Sequence, residues 1–274
     1  GMQRIMTSAL PVMYPDSKYA DCMPIGSLDV INNFPYQDIR DYYAKWYRPD
    51  LQGIMIVGDI NVDEMEAKLK KVFADIKAPV NPAERIYYPV ADNQEPQIFI
   101  GTDKEIETPS ISFFFKSEAF PDSLKNTINY YGIQYMLSMG VTMLNSRLAE
   151  ISQQANPPFT GASAGYGDFF VAKTKNAFGV DASSKIDGIE LAMKTILEET
   201  ERARRFGFTE TEYDRARANY LQRVESAYNE REKMKNDTYV NEYISHFLDN
   251  EPMPGIEYEY AMMNQLAPNI PVAA

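Results

Sequence analysis

The chain has 274 residues, 45% of them hydrophobic and 24% charged, with a formal net charge of −12. That composition is that of a soluble globular protein. The acidic balance argues against nucleic acid, whose phosphates require clustered Lys and Arg, and the same sign disfavours anionic membrane surfaces.

Cys22 is the only cysteine, so no internal disulfide and no cysteine-rich metal site can form. His246 is the only histidine, which excludes a zinc site built on two or more His ligands. No apolar run approaches the roughly 18 residues of a membrane-spanning helix. Gly1-Met2 reads as a scar of tag cleavage, no signal peptide follows it, and the compartment stays open.

Residues 3 to 23 lack periodicity and read as an irregular segment. The first firm helix is expected from Tyr36 to Tyr47, with Ile39, Tyr42, Tyr43, Trp46 and Tyr47 as its buried stripe. Pro49 stops it, because proline cannot donate the next backbone hydrogen bond. Ile54 to Val57 reads as a buried strand. Asn61 and Glu64 form a capping-box pattern for a second helix, whose stripe is Val62, Met65, Leu69, Val72 and Phe73.

After a proline-rich stretch, with a domain boundary placed near residue 92, Gln97 to Thr102 and Ser110 to Ser117 read as strands. Asp122 or Ser123 caps a long helical region reaching Gln153, which Gly140 is expected to interrupt. Strands follow over Phe159 to Phe170 and Ala177 to Ser183, with Lys173 to Asn176 as the polar turn between them. A helix through Ile186, Ile189, Met193, Ile196 and Leu197 ends at Gly207. Thr209 and Glu212 form a second capping box, opening a charged helix toward Tyr228. A last helix covers Asn236 to Phe247. Helices set beside short hairpins indicate an α+β fold, layered sheet plus helices.

Four short stretches carry a resemblance: Pro24-Ile25-Gly26, Asp38 to Tyr43, Trp46 to Asp50, and Val57-Gly58-Asp59-Ile60. In this order and spacing they resemble the pitrilysin- and insulysin-type (M16) zinc metallopeptidases, which include mitochondrial processing peptidase. Leu144 to Leu148 resembles the family's helix before the second-domain hairpin, and Thr209 to Tyr220 the long helix after it. The resemblance implies the layered α+β domains of processing-peptidase type. Residues 3–92 would be the C-terminal part of a first such domain, and 93–268 a second.

Active members carry an inverted zinc motif, H-x-x-E-H, whose Glu activates water. With one histidine this chain cannot hold it. The resemblance therefore implies a fragment starting after the zinc motif. No cofactor and no catalytic residue is expected in the chain itself, and zinc is expected in the full-length parent. Its expected role is chamber wall and substrate-anchoring surface of an endopeptidase acting on unfolded peptides. Implied partners are the peptide substrate and either the remaining half of the parent or an M16 partner subunit. Loss of part of the first domain's sheet would also favour self-association. The alternative is a non-catalytic homologue that binds beside an active partner.

The candidate substrate-binding positions come from the same resemblance, which places a peptide-anchoring strand edge after the matching helix. They are Gly140 at the helix break and Gly161 with Ala162 at the start of the GASAGYG stretch, Gly161 to Gly167. Without the resemblance, these glycines read as a strand where another backbone approaches closely. A phosphate loop is excluded, since no Lys-Ser/Thr follows. His246 reads as a structural or surface histidine, with no second ligand at i+3 or i+4.

Overall fold

The computed structural model describes residues 1–272. In chain order these form α1 (Met2–Met13), α2 (Leu28–Asn33), α3 (Tyr36–Trp46), α4 (Val62–Val72), β1 (Ser110–Glu118), α5 (Asp122–Lys125) and α6 (Ile128–Ser152). They continue as β2 (Gly161–Phe169), β3 (Ala172–Ser183), α7 (Ile189–Phe206), α8 (Glu210–Asn229), α9 (Asn236–Asp249) and α10 (Ile256–Leu266). The chain divides into two compact units, each discontinuous. One contains Gly1–Met23, Tyr87–Asn229 and the residues from Ile256 on; the other contains Pro24–Ile86 and Glu230–Gly255.

The first unit is built on an antiparallel sheet in the order β1-β3-β2. Val180 on the central strand pairs with Phe113 on one side and Ala164 on the other. Because side chains alternate across a strand, Val180 and Ala182 turn toward α6 and α7, where they meet Leu144, Leu148, Ala192 and Ile196. Leu148 and Ile196 have no exposed surface, and burying each such side chain contributes about 1.5–3 kcal/mol. A second core joins Tyr135, Met139 and Met143 of α6 to Tyr213 and Ala216 of α8 and Met263 of α10.

Helix α6 runs unbroken through Gly140. A mid-helix glycine costs about 1 kcal/mol relative to alanine, too little to end a helix whose Met139, Met143 and Leu144 are buried on both sides of it. The expected break lies earlier, at Asn126, after which Thr127 caps α6 by accepting from the Tyr130 amide at 3.2 Å. The second capping box is complete. The Thr209 N–H donates to Glu212 at 2.7 Å, and the Glu212 N–H donates to the Thr209 hydroxyl at 3.3 Å.

The irregular segment expected over residues 3 to 23 is helical up to Met13 and irregular after it, apart from a single 3-10 turn at Lys18–Ala20. Helix α1 packs Leu10, with Tyr14 just beyond its end, against Phe169, Ala172 and Ala177 at the closed end of the hairpin. The hairpin turn is Phe170-Val171, with Phe170 at a φ of 54°. Lys173 to Asn176, expected as the turn, lies inside β3. There Lys175 bridges Asp92, at 2.9 Å, and Glu118, so its charge is compensated although its side chain is almost wholly buried.

In the second unit, α3 and α4 form where the periodicity placed them, and Asn61 accepts from the Glu64 amide at 3.2 Å. Ile54 to Val57 forms no strand, and neither does Gln97 to Thr102 in the first unit. A run becomes a strand only when a neighbour takes its hydrogen bonds. The aromatic stripe is not core: Ile39, Tyr42, Tyr43 and Tyr47 are all more than half exposed, as are Val62 and Val72. An apolar patch of this kind marks a contact surface. The purified chain is expected to self-associate, with a light-scattering mass that rises with concentration; a strictly monomeric mass at every concentration would contradict this.

Candidate functional site: the edge of strand β2

Strand β2 is the last strand of its sheet, so among the described residues one side of its backbone meets no strand. In an antiparallel pair a residue's N–H and C=O point to the same side, and successive residues alternate. The Ala164 amide donates to Asn145 Oδ1 at 2.7 Å, and Asn145 Nδ2 donates to the Ala164 carbonyl at 3.0 Å. Ala164 therefore turns its backbone outward, away from β3. The register is regular from Gly161 to Asp168, so Ala162 and Tyr166 turn theirs outward too.

Gly161, Gly165 and Gly167 are not glycines because a backbone crowds them. No neighbouring atom lies within 4 Å of where a Cβ would stand at any of the three. On the sheet face opposite α6 and α7, Gly165, Gly167 and Gly179 floor a shallow cavity of about 240 Å³, walled by Phe114 and Phe169 and including Asp181. The Asp181 carboxylate is held by the Ser112 hydroxyl at 2.5 Å. A strand with one free side and little side-chain bulk on its open face offers main-chain hydrogen bonding with small steric demand. That is the chemistry of strand addition.

Helix α6 is braced by Arg147, two residues after Asn145. The guanidinium donates to Glu212 from Nε at 2.5 Å and from Nη2 at 2.9 Å, and to Glu199 from Nη1 at 3.3 Å. Nη2 also donates to the Gly207 carbonyl at 3.2 Å, and the group lies 4.5 Å from the Phe208 ring centre. One side chain thus ties α6 to α7, to the α7–α8 corner and to α8. The Arg147 guanidinium, helped by the Thr209 amide and hydroxyl, holds the Glu212 carboxyl at about 2, against an ordinary 4.5.

Of the sequence-derived positions, Gly161 and Ala162 stand together at the start of β2. Gly140 lies apart on α6, within continuous helix. Asn145, the residue that engages the edge, was not among them. It lies within the Leu144 to Leu148 stretch that resembles the family, but nothing in a sequence says which strand a helix side chain will meet.

His246 lies in the second unit, in a cleft of about 530 Å³ lined by Ile54, Met55, Ile56, Tyr243 and Phe247. Its Nδ1 lies 2.7 Å from the Glu251 carbonyl and donates to it, closing the C-terminal turn of α9. Among the described residues no three His, Cys, Asp or Glu side chains are grouped as metal ligands. A zinc ion does not fit this donor set. The isolated chain is expected to retain no stoichiometric zinc after dialysis; one tightly held ion per chain, measured by elemental analysis, would contradict that.

Residues 33–220 match the family model described as peptidase M16 inactive domain. The chain belongs to the M16 peptidase family. An M16 relative in Arabidopsis thaliana, named as a zinc protease PQQL-like protein, is 30% identical over 97% of this chain and 25% of its own length. The probable zinc protease PqqL of Escherichia coli K12 is 23% identical over 96% of this chain and 28% of its own length. The chain thus spans about a quarter of these curated relatives.

The crystal structure of the periplasmic protease PqqL from Escherichia coli superposes with a TM-score of 0.86 at 21% identity, covering 100% of this chain and 30% of that one. The ferredoxin protease FusC, solved as a mutant in complex with Arabidopsis ferredoxin, superposes with a TM-score of 0.74 at 19% identity, with the same coverage. The M16 fold is therefore shared by helices and sheet alike. Among the described residues no helix is long and apolar enough to cross a membrane.

Proposed function

We propose that this chain is a substrate-contacting part of an M16 zinc metalloendopeptidase. It forms wall and anchoring edge for an unfolded peptide, and the zinc chemistry is supplied by other residues of the parent or its partner. The observation that carries this reading is the outward backbone of Ala162, beside the open space at Gly161. A peptide in extended conformation gains its affinity there from main-chain hydrogen bonds, which suits varied sequences. Gly140, with open space beside it in α6, is proposed as a secondary contact. Zinc belongs to the whole protease, as the names of the relatives support.

We further propose that residues 3–92 and 93–268 are parts of successive M16-like domains, the second containing the whole β1-β3-β2 sheet. A second reading keeps the peptide edge but makes the chain part of a non-catalytic M16 subunit beside an active partner. The two differ in whether the parent polypeptide binds zinc.

The test is binding of a fluorescein-labelled Val-Thr repeat peptide flanked by glutamates, so that the chain's charge of −12 does not attract it. Ala162→Pro removes an N–H that the sheet itself does not use, a change tolerated on an edge strand. It is expected to weaken binding about tenfold, the order of one or two main-chain hydrogen bonds. Unchanged anisotropy titrations in the folded variant would sink the reading.

A further inference from the structure

Resting on that peptide-edge reading, we infer that Asn145 sets where the edge ends: its amide occupies the place of a strand residue opposite Ala164 and confines peptide pairing to Gly161–Ser163. An added strand bonds to every second residue of β2, at Ala162, Ala164 and Tyr166. At the middle of these both backbone groups are already taken, the N–H at 2.7 Å and the carbonyl at 3.0 Å. The side chain copies the paired donor and acceptor of a peptide unit, so it competes with a peptide for the same two bonds.

At the other end the Thr160 amide is in use as well. The Thr160 N–H donates to the Ser183 carbonyl at 2.8 Å, inward to β3, and offers nothing to a ligand. Only the Ala162 pair is left on that side of Asn145. The outward groups of Tyr166 lie beyond it, cut off from Ala162. Asn145 cannot drift away from the edge, because Arg147 in the next half-turn is tied to Glu212 and Glu199. The consequence is a short anchoring site that holds one peptide unit and leaves the remainder of a substrate unpaired. It also leaves no long bare strand for aggregation.

Amide hydrogen exchange, read residue by residue on the full chain with and without the same Val-Thr probe, tests this. In the wild type the probe is expected to slow the Ala162 amide and leave Tyr166 unchanged, while the Ala164 amide is slow even without probe. In Asn145→Ala, slowing by the probe should spread to Ala164 and Tyr166, and binding should tighten about tenfold. Asn145→Asp keeps the acceptor for the Ala164 amide and should keep the wild-type boundary.

Slowing of both Ala162 and Tyr166 in the wild type would overturn the inference while leaving the peptide edge standing. So would an unchanged boundary in Asn145→Ala. A probe that slows no β2 amide in any variant would overturn the edge reading and this inference together. The wild-type profile decides alone if Asn145→Ala fails to fold.

Discussion

Replacing Arg147 by alanine is expected to lower unfolding free energy by about 3 kcal/mol, the low end of the cost of breaking a buried ion pair. The low end applies because Glu199 keeps Arg202 at 2.7 Å and Glu212 keeps the Thr209 amide. What is lost is the fork onto Glu212, the link to the Gly207 carbonyl and the stacking on Phe208. Lysine should recover little, since an ammonium cannot make the planar two-bond contact.

The acid limb of stability carries the signature. The Glu212 pKa is depressed in the fold, so its contribution is complete above about 4.5 and fades as pH falls toward about 2. In Arg147→Ala that dependence should shrink, without vanishing, because the Thr209 bonds persist. Urea unfolding of wild type and variant across this pH range would check both effects; equal curves would contradict them.

Tyr14→Ala is expected to cost about 4 kcal/mol, within the range for deleting a buried aromatic ring. Tyr14 is fully buried, meets the Phe169 ring edge-on with centroids 5.2 Å apart, and its hydroxyl donates to the Phe169 carbonyl at 2.5 Å. The same oxygen accepts from the Val171 amide at 3.3 Å, so it spans the Phe170-Val171 turn. Burial pushes the phenol pKa up, so Tyr14 stays protonated and donating across the neutral range. Tyr14→Phe keeps the ring and removes the hydroxyl's bond to the Phe169 carbonyl, for about 1 kcal/mol. A near-zero change in Tyr14→Ala would mean that α1 does not brace the hairpin.

What was legible in the sequence was whatever depends on neighbours along the chain. The Thr209–Glu212 box, the Asn61 cap and the helix stop at Gly207 are local devices, and each stands where the residues placed it. The M16 family was legible from four short motifs and is borne out, as is the α+β layering.

Long-range partners were not legible. Ile54 to Val57 has the composition of a buried strand, yet it is unpaired among the described residues. Helix α1 was missed because it carries Pro11 and no side-chain cap, so its stability comes from the hairpin it covers. The hairpin turn was misplaced because polarity points to Lys173–Asn176, whereas Phe170 takes the left-handed backbone. The open edge at Gly161 and Ala162 was suggested by glycine content, but Asn145 closes part of it through a contact 19 residues away in sequence.

We propose that this chain holds extended peptide at the start of β2 and does not itself cut it. Incubating the purified chain with the Val-Thr probe and added zinc, and following anisotropy and peptide mass in one sample, tests it most directly. The expected result is saturable binding, weakened about tenfold in Ala162→Pro, with the peptide intact throughout. Zinc-dependent cleavage products, or binding that ignores Ala162→Pro, would contradict it.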